Sequence, residues 1–477
     1  MKYATIVHNV RMFAIAIISL IFGSGLLLCI TPQSLWAALT DTEIQKRVAL
    51  KYEQNADEIL FWLQQQQFDN VEAFLGYVVK NNAVTRDGID YLTAILEYWF
   101  GASEVLEFNR IKPVPQDILP YLNTWIEHSP KNANAYIIRG VYYVERAWEI
   151  RGRGWAKDVK KEHWPSFQEL HLLAKTDLEK AYELDPFNPV SSRELMRVQR
   201  ALNAKDTKAT ETYFQQAIKN YPAFYWAYRA KLENLMPKWG GTWETMFAFA
   251  AETAQGAPPK TLLPHVLAYA LEEAAARSQN SPKYYTTPQV WETLEQIYKQ
   301  ITTDFPSSTR WKVRFARIAA DAGKGDIAAS YLKSAEETDP TDYRIYELKA
   351  LLAEQQEQWT IEEENARRVI ELCPVYETGY SMLGYALGQQ KRYQEAIESY
   401  TSAIEIAPLI SYYWSSRCHY YNWLMKFENA IDDCTSAIEL DQGNAFAYQQ
   451  RKYAYERLGK TQEAEVDRKM YERLTQK

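Results

Sequence analysis

ETGYSMLGYALGQQKRYQEAIESYTSAIEIAPLI (residues 377–410) and SYYWSSRCHYYNWLMKFENAIDDCTSAIELDQGN (residues 411–444) are two successive units of 34 residues in one register. In the first, Tyr380, Leu383, Gly384, Leu387, Ala396, Tyr400, Ala403 and Pro408 stand at positions 4, 7, 8, 11, 20, 24, 27 and 32. The second places Trp414, Cys418, Tyr421, Ala430, Cys434 and Ala437 at the matching positions, with Gln442 in place of the proline. Apolar residues at this spacing describe a helical hairpin. Small Gly384 and Ala396 let the two helices approach, while Tyr380, Leu387 and Tyr400 fill the angle between them. Pro408, which has no N–H, stops the second helix.

Working outward, Pro306, Pro340, Pro374 and Pro408 recur every 34 residues, which predicts an unbroken array of hairpins. A last unit from Ala445 keeps Tyr448, Tyr455 and Ala464 but carries Arg468 at position 24 and ends in a polar helix, as a terminal cap requires. Upstream, Tyr136, Gly140 and Tyr143, then Ala174, Leu178, Ala181 and Pro186, fit the same hairpin around an insertion at Arg151 to Phe167. Further hairpins run from Pro189 to Pro222 and from Tyr225 through Pro237-Lys238-Trp239-Gly240-Gly241-Thr242-Trp243. Nearer the start, Thr42 to Gln66, Asn70 to Lys80 and Thr85 to Phe100 read as helices, the last opened by the turn-like Arg86-Asp87-Gly88, and Ser281 to Gln289 reads as a loop. The expected fold is all-α: a right-handed superhelical α-solenoid, irregular in its N-terminal half. Its divisions are 1–38, a targeting segment; 39–255, helical with degenerate hairpins and inserts; 256–308, a connecting hairpin; and 309–477, the regular repeats.

The chain has 477 residues, 47% of them hydrophobic and 24% charged, a balance that builds cores and excludes general disorder. A formal charge of −7 supplies no footprint for nucleic acid. Lys2 and Arg11 precede an apolar run from Met12 to Ile30, the layout of an export signal. Removal near Ala37 or Ala38 and retention as a membrane anchor through residues 12–30 are both open. Either places the body outside the cytoplasm, in the periplasm or on the inner membrane. Cys29 does not read as a lipidation site, because the residue before it, Leu28, is not small.

Residues 309–477 resemble tetratricopeptide-repeat proteins, on the recurrent positions quoted above. Residues 41–254 resemble a bacterial family of unknown function that accompanies such repeats. That likeness rests on Arg151-Gly152-Arg153-Gly154-Trp155-Ala156 and on the Pro237 to Trp243 stretch, and it implies no activity. The tetratricopeptide resemblance implies a concave face lined by positions 2, 5, 9, 12 and 13 of each first helix. Here these include Arg310, Arg317, Tyr385, Tyr412, His419, Asn422, Trp423, Phe446 and Tyr453, a set suited to capturing a peptide or partner protein. The family's clamp for a terminal carboxylate needs Lys, Asn and Arg where this chain has Ser381, Tyr385, Ser416, Phe446 and Gln450, so that clamp is not expected.

A second candidate is a pocket of Arg151, Trp155, Trp239, Trp243 and Glu244, which would make the N-terminal half an enzyme or small-ligand domain with the repeats recruiting its substrate. The alternative, preferred here, is that the tryptophans pin an irregular insert. The six histidines show no metal-ligand spacing, and no phosphate loop or nucleophile elbow is present, so no cofactor and no catalytic residue is expected. Cys418 and Cys434 face each other across one hairpin. A disulfide is open to them in an oxidising compartment, but the preferred reading is two small buried thiols.

The function expected is that of an exported scaffold that binds another protein in its concave groove, without catalysis of its own.

Overall fold

A computed structural model describes residues 38–49, 51–100, 118–152, 159–278 and 280–476. The targeting segment and Trp155 lie outside the described residues. Among those described, no helix is long and apolar enough to cross a membrane.

The described chain is all-α. Its 24 helices are joined by turns, and its strand-like pairing is a single bridge between Val84 and Asp90. The regular array begins with α15 (Thr309–Asp321) and α16 (Gly325–Thr338). It continues through α17 (Tyr343–Gln355) and α18 (Trp359–Leu372), then α19 (Glu377–Gln389) and α20 (Tyr393–Ile406). It ends with α21 (Ser411–Trp423) and α22 (Phe427–Leu440), and α23 (Ala445–Arg457) and α24 (Thr461–Thr475).

Three local devices recur at the 34-residue period. The turn inside each hairpin places its position 15 in the left-handed region: Gly323, Glu357, Lys391, Met425 and Gly459 have φ of 72°, 56°, 63°, 58° and 73°. The next N–H then reaches back to a carbonyl five residues earlier, as in Lys324 to Ala319 and Arg392 to Leu387, which closes the first helix. The second device is small-residue contact. A Cβ added to Gly384 would stand 2.8 Å from the Tyr400 ring and 3.3 Å from the Ala396 carbonyl, so only glycine admits this approach. The third links one unit to the next: the tip of the position-4 aromatic bonds to the carbonyl of the preceding proline. Tyr346 reaches Pro340 at 3.1 Å, Tyr380 reaches Pro374 at 3.2 Å, and Trp414 Nε1 reaches Pro408 at 2.8 Å.

These devices identify repeat geometry far upstream. Tyr136 bonds to Pro130 and Tyr228 to Pro222 in the same way. Gln66 also adopts a left-handed φ of 55°, with Gln67 N–H bonding back to Trp62. The upstream helices are α1 (Asp41–Val48), α2 (Tyr52–Gln64), α3 (Phe68–Lys80), α4 (Tyr91–Phe100), α5 (Leu119–His128), α6 (Ala133–Arg151) and α7 (His163–Leu184). They continue with α8 (Pro189–Asn203), α9 (Thr207–Asn220), α10 (Tyr225–Asn234), α11 (Trp243–Gln255), α12 (His265–Arg277), α13 (Ser281–Tyr285) and α14 (Pro288–Asp304).

Three sequence expectations are corrected here. Thr42 to Gln66 is two helices, and the carbonyl of Arg47 at the break is satisfied by Asn55 Nδ2 at 2.8 Å. The turn expected at Arg86-Asp87-Gly88 is present, but the helix begins only at Tyr91, because Asp87 is held by the repeats: Ser308 Oγ donates to its carboxylate at 2.5 Å and Trp311 Nε1 to its carbonyl at 2.8 Å. The span Ser281 to Gln289 contains the short helix α13, capped by the Asn280 side chain.

The N-terminal helices therefore fold back onto the array. Lys51 and Arg86 pair with Asp339 at 2.7 and 3.0 Å, and one apolar core runs from Ile44 to Ala328. Smaller cores follow along the later repeats.

Cys418 and Cys434 are bonded, with Cα atoms 5.6 Å apart, so the expectation of two free thiols is overturned. Positions 8 and 24 of the hairpin bring the two helices within the span a disulfide needs.

One position breaks the pattern. Position 20 is Ala328, Ala396, Ala430 and Ala464 in four units but Glu362 in the fifth. Glu362 is wholly buried with neither carboxylate oxygen hydrogen-bonded, and burial beside Glu354 pushes its pKa from 4.5 up to about 8. Glu362→Ala should raise stability by about 1–3 kcal/mol, because it removes an unsatisfied polar group. The unfolded chain ionises this carboxyl first, so its destabilising effect grows from pH 4.5 to about 8. Denaturation of wild type and variant across that window should diverge as pH rises, and equal stability at pH 8 would refute the assignment.

Candidate functional site

The first helices of the last two repeats present a row of aromatic side chains. Tyr412, Trp423, Phe446 and Tyr453 are 51%, 56%, 39% and 42% exposed, unusually high for residues of this size. They stand at positions 2, 13, 2 and 9 of their units, on one side of α21 and α23.

The row rests on a stack. Trp423 lies on Tyr393 at 5.3 Å and 20°, Tyr393 on Tyr420 at 6.1 Å, and Tyr420 on Tyr400 at 5.8 Å. Gly388 makes room for it, since a Cβ there would meet the Tyr420 hydroxyl at 2.1 Å. Tyr385 is half-buried against Trp359 at 6.0 Å. Burial raises the Tyr385 pKa, and the acidic groups near it, Glu354 first and Glu357 among them, add to the shift.

His419 orients the row. The Trp423 indole N–H donates to its Nε2 at 3.0 Å, so Nδ1 carries the proton and donates to Gln450 Oε1 at 3.1 Å. Burial lowers the His419 pKa, the Gln450 bond opposing it, and the neutral form prevails at neutral pH. Phe446 packs on the imidazole at 5.6 Å.

Two expected groove residues are not available to a partner. Asn422 is buried, and its amide bonds to the Gln450 carbonyl at 2.9 Å and holds α21 to α23. Arg310 is also buried, facing Asp87 at 3.6 Å, Glu97 at 3.7 Å and the Tyr52 hydroxyl at 3.3 Å, because the folded-back N-terminal helices cover the start of the array. Arg317 lies further along, half-buried, in the wall of a polar cavity.

The described residues of the insert pocket do not converge. The Arg151 guanidinium sits over Trp148 at 5.2 Å and Trp164 at 5.5 Å. Trp239 packs edge-on to Trp148, which precedes the first signature stretch, at 6.2 Å and lies beneath the Arg200 guanidinium. Trp243 and Glu244 instead lie exposed on the first turn of α11, Trp243 stacked on Phe247 of its own helix.

Sequence reasoning missed the ion network on α8. Arg193, Glu194, Arg197 and Arg200 are all buried, with Arg197 pairing Glu145 at 2.7 Å and Arg200 pairing Glu233 at 2.6 Å. Three arginines at helical spacing on the first helix of the Pro189 to Pro222 hairpin were the available signal.

Comparison with known proteins agrees with this architecture. Residues 57–205 match a domain of unknown function, DUF4034, and residues 378–410 match the tetratricopeptide repeat. No curated protein matches significantly. Among solved structures, YrrB, described as a TPR protein with an unusual peptide-binding site, is 13% identical, covering 37% of this chain and 92% of its own at a TM-score of 0.34. The pilF protein of Pseudomonas aeruginosa is 12% identical, covering 43% and 92% at 0.36. The C-terminal part of a TPR repeat-containing protein from Cytophaga hutchinsonii is 15% identical, covering 48% and 95% at 0.35.

Protonation of His419 takes away the acceptor of the Trp423 indole. The unfolded histidine binds its proton near pH 6.5 and the folded one only below that, so this contact's contribution is intact above 6.5 and falls as pH drops through the folded pKa. The indole N–H resonance of Trp423 should shift across that range in the wild type and stay put in His419→Phe. A resonance that moves identically in both proteins would show that His419 is not its acceptor.

Proposed function

We propose that this tetratricopeptide-repeat protein, with its N-terminal DUF4034 domain, is an exported scaffold that binds a peptide or partner protein along the aromatic row of its last two repeats. The observation that carries this reading is the concentration of exposed Tyr412, Trp423, Phe446 and Tyr453 on one side of α21 and α23. Rigid aromatic surface offers large contact area at low entropy cost. The acidic side chains around Tyr385 favour a segment with apolar anchors and a Lys or Arg at that end.

Export is supported by Lys2, Arg11 and the apolar run at residues 12–30, and by the Cys418–Cys434 bond, which suits an oxidising compartment. The proposed location is the periplasm or the outer side of the inner membrane, with binding and not catalysis as the role.

Crosslinking in the native envelope followed by pull-down tests the groove. Combined Tyr412→Ala, Trp423→Ala and Tyr453→Ala should lose the principal partner by at least about tenfold while keeping the helical circular dichroism, since each anchor contributes roughly 1–2 kcal/mol. Retention of every partner by the triple variant sinks the reading. For location, Cys418 and Cys434 should resist alkylation in protein unfolded in denaturant directly from cells until a reductant is added, and immediate labelling of both would contradict export.

A further inference from the structure

A cavity of about 490 Å³ opens where the covered part of the array gives way to the open part, between α12, α13, α15, α17 and the start of α19. Its charged lining comprises Glu272, Arg314, Arg317, Asp321 and Glu347. These side chains come from three helices, spread over more than two repeat lengths of sequence, and converge here.

Two buried tyrosines fix its carboxylates from behind. Tyr298 donates to Glu272 Oε1 at 2.6 Å and accepts from Arg314 Nε at 3.0 Å, while Arg314 also pairs with Glu272. Tyr298 is in turn held by His265 Nε2 at 3.1 Å, whose Nδ1 meets the Tyr225 hydroxyl at 2.8 Å. On the opposite wall Tyr376 donates to Glu347 Oε1 at 2.6 Å. Glu272, Arg314 and Glu347 are thus positioned before any ligand arrives, which favours a tight small site.

Two opposite charges in this wall keep unused hydrogen-bonding capacity. Glu347 is 5% exposed, yet its Oε2 accepts no hydrogen bond. Arg317 makes no hydrogen bond or ion pair with a described residue, and its charge acts on Glu347 from across the wall. Leaving the buried Glu347 oxygen unsatisfied is costly, and the volume falls in the range of small-molecule sites.

We propose that this cavity binds a free α-amino acid, its carboxylate on the Arg317 guanidinium and its ammonium on Glu347. A guanidinium matches a carboxylate with paired hydrogen bonds, and a buried carboxylate matches an ammonium. Three carboxylates against two arginines disfavour a simple anion, and the two arginines disfavour a simple cation. A neutral molecule bearing both charges satisfies the wall. A peptide carries its two terminal charges far apart, so the site is distinct from the aromatic row and stands whether or not that row takes a peptide.

Isothermal titration of the full chain with a panel of free L-amino acids is the test. At least one should bind saturably with a Kd below about 1 mM. Its N-acetyl derivative and its methyl ester, each lacking one charge, should bind at least about tenfold more weakly, as should a dipeptide. Arg317→Ala and Glu347→Gln should each cost about tenfold or more, with unchanged circular dichroism and Tm; the amide oxygen in Glu347→Gln still accepts from Tyr376, so that variant keeps the wall. Absence of saturation by every amino acid up to about 10 mM overturns the proposal. So does equal affinity for the singly charged analogues, or full affinity in both variants.

Discussion

In five hairpins a hydrogen bond from a position-4 aromatic to the proline carbonyl six residues earlier ties the hairpin to the helix before it. Proline ends the second helix of a unit and leaves its carbonyl free. The Tyr or Trp of the following helix occupies that carbonyl and sets the angle at which the next hairpin starts. Because Tyr136, Tyr228, Tyr346, Tyr380 and Trp414 all do this, the same step is repeated from the irregular half into the regular one.

The face is divided between two uses. Over α15 it is covered by the chain's own turn at residues 84–90, whose Asp87 is gripped by Ser308, Trp311 and Arg310. Beyond the polar cavity, the corresponding positions carry Tyr412, Trp423, Phe446 and Tyr453 and are open. The covering charges sit in a largely water-free interface, where an unpaired partner is expensive, so the N-terminal helices are locked in register and not loosely attached. The irregular half therefore determines where the open groove begins.

Much of the architecture was legible because repeat spacing is a strictly local code: Gly384, Ala396 and Pro408 each act on neighbours within one hairpin. What escaped were properties set by distant parts of the chain. Arg310 has the right position for a groove residue, but its fate is decided by Asp87 and Glu97, more than two hundred residues away. Asn422 reads as a groove amide until Gln450 of the next unit takes its hydrogens. Trp243 and Trp239 are close in sequence, yet the turn at Gly240 and Gly241 separates them onto a helix start and a packed interface. The cysteine pair was recognised as facing, and only the approach of the helices decided that it is bonded.

The covalent link between Cys418 and Cys434 has a mechanical consequence. It spans 16 residues within a single unit, in an array where every unit is otherwise held only by its neighbours. If the C-terminal end is pulled, α23 and α24 peel away first. The front then meets a hairpin that cannot be drawn out to full length, because its two helices are knotted together at mid-height. Tyr412 and Trp423 ride on that knotted hairpin, whereas Phe446 and Tyr453 ride on the part that peels. A partner that tugs on this protein would lose half of its grip before the other half, and the half that holds is the one fastened by sulfur.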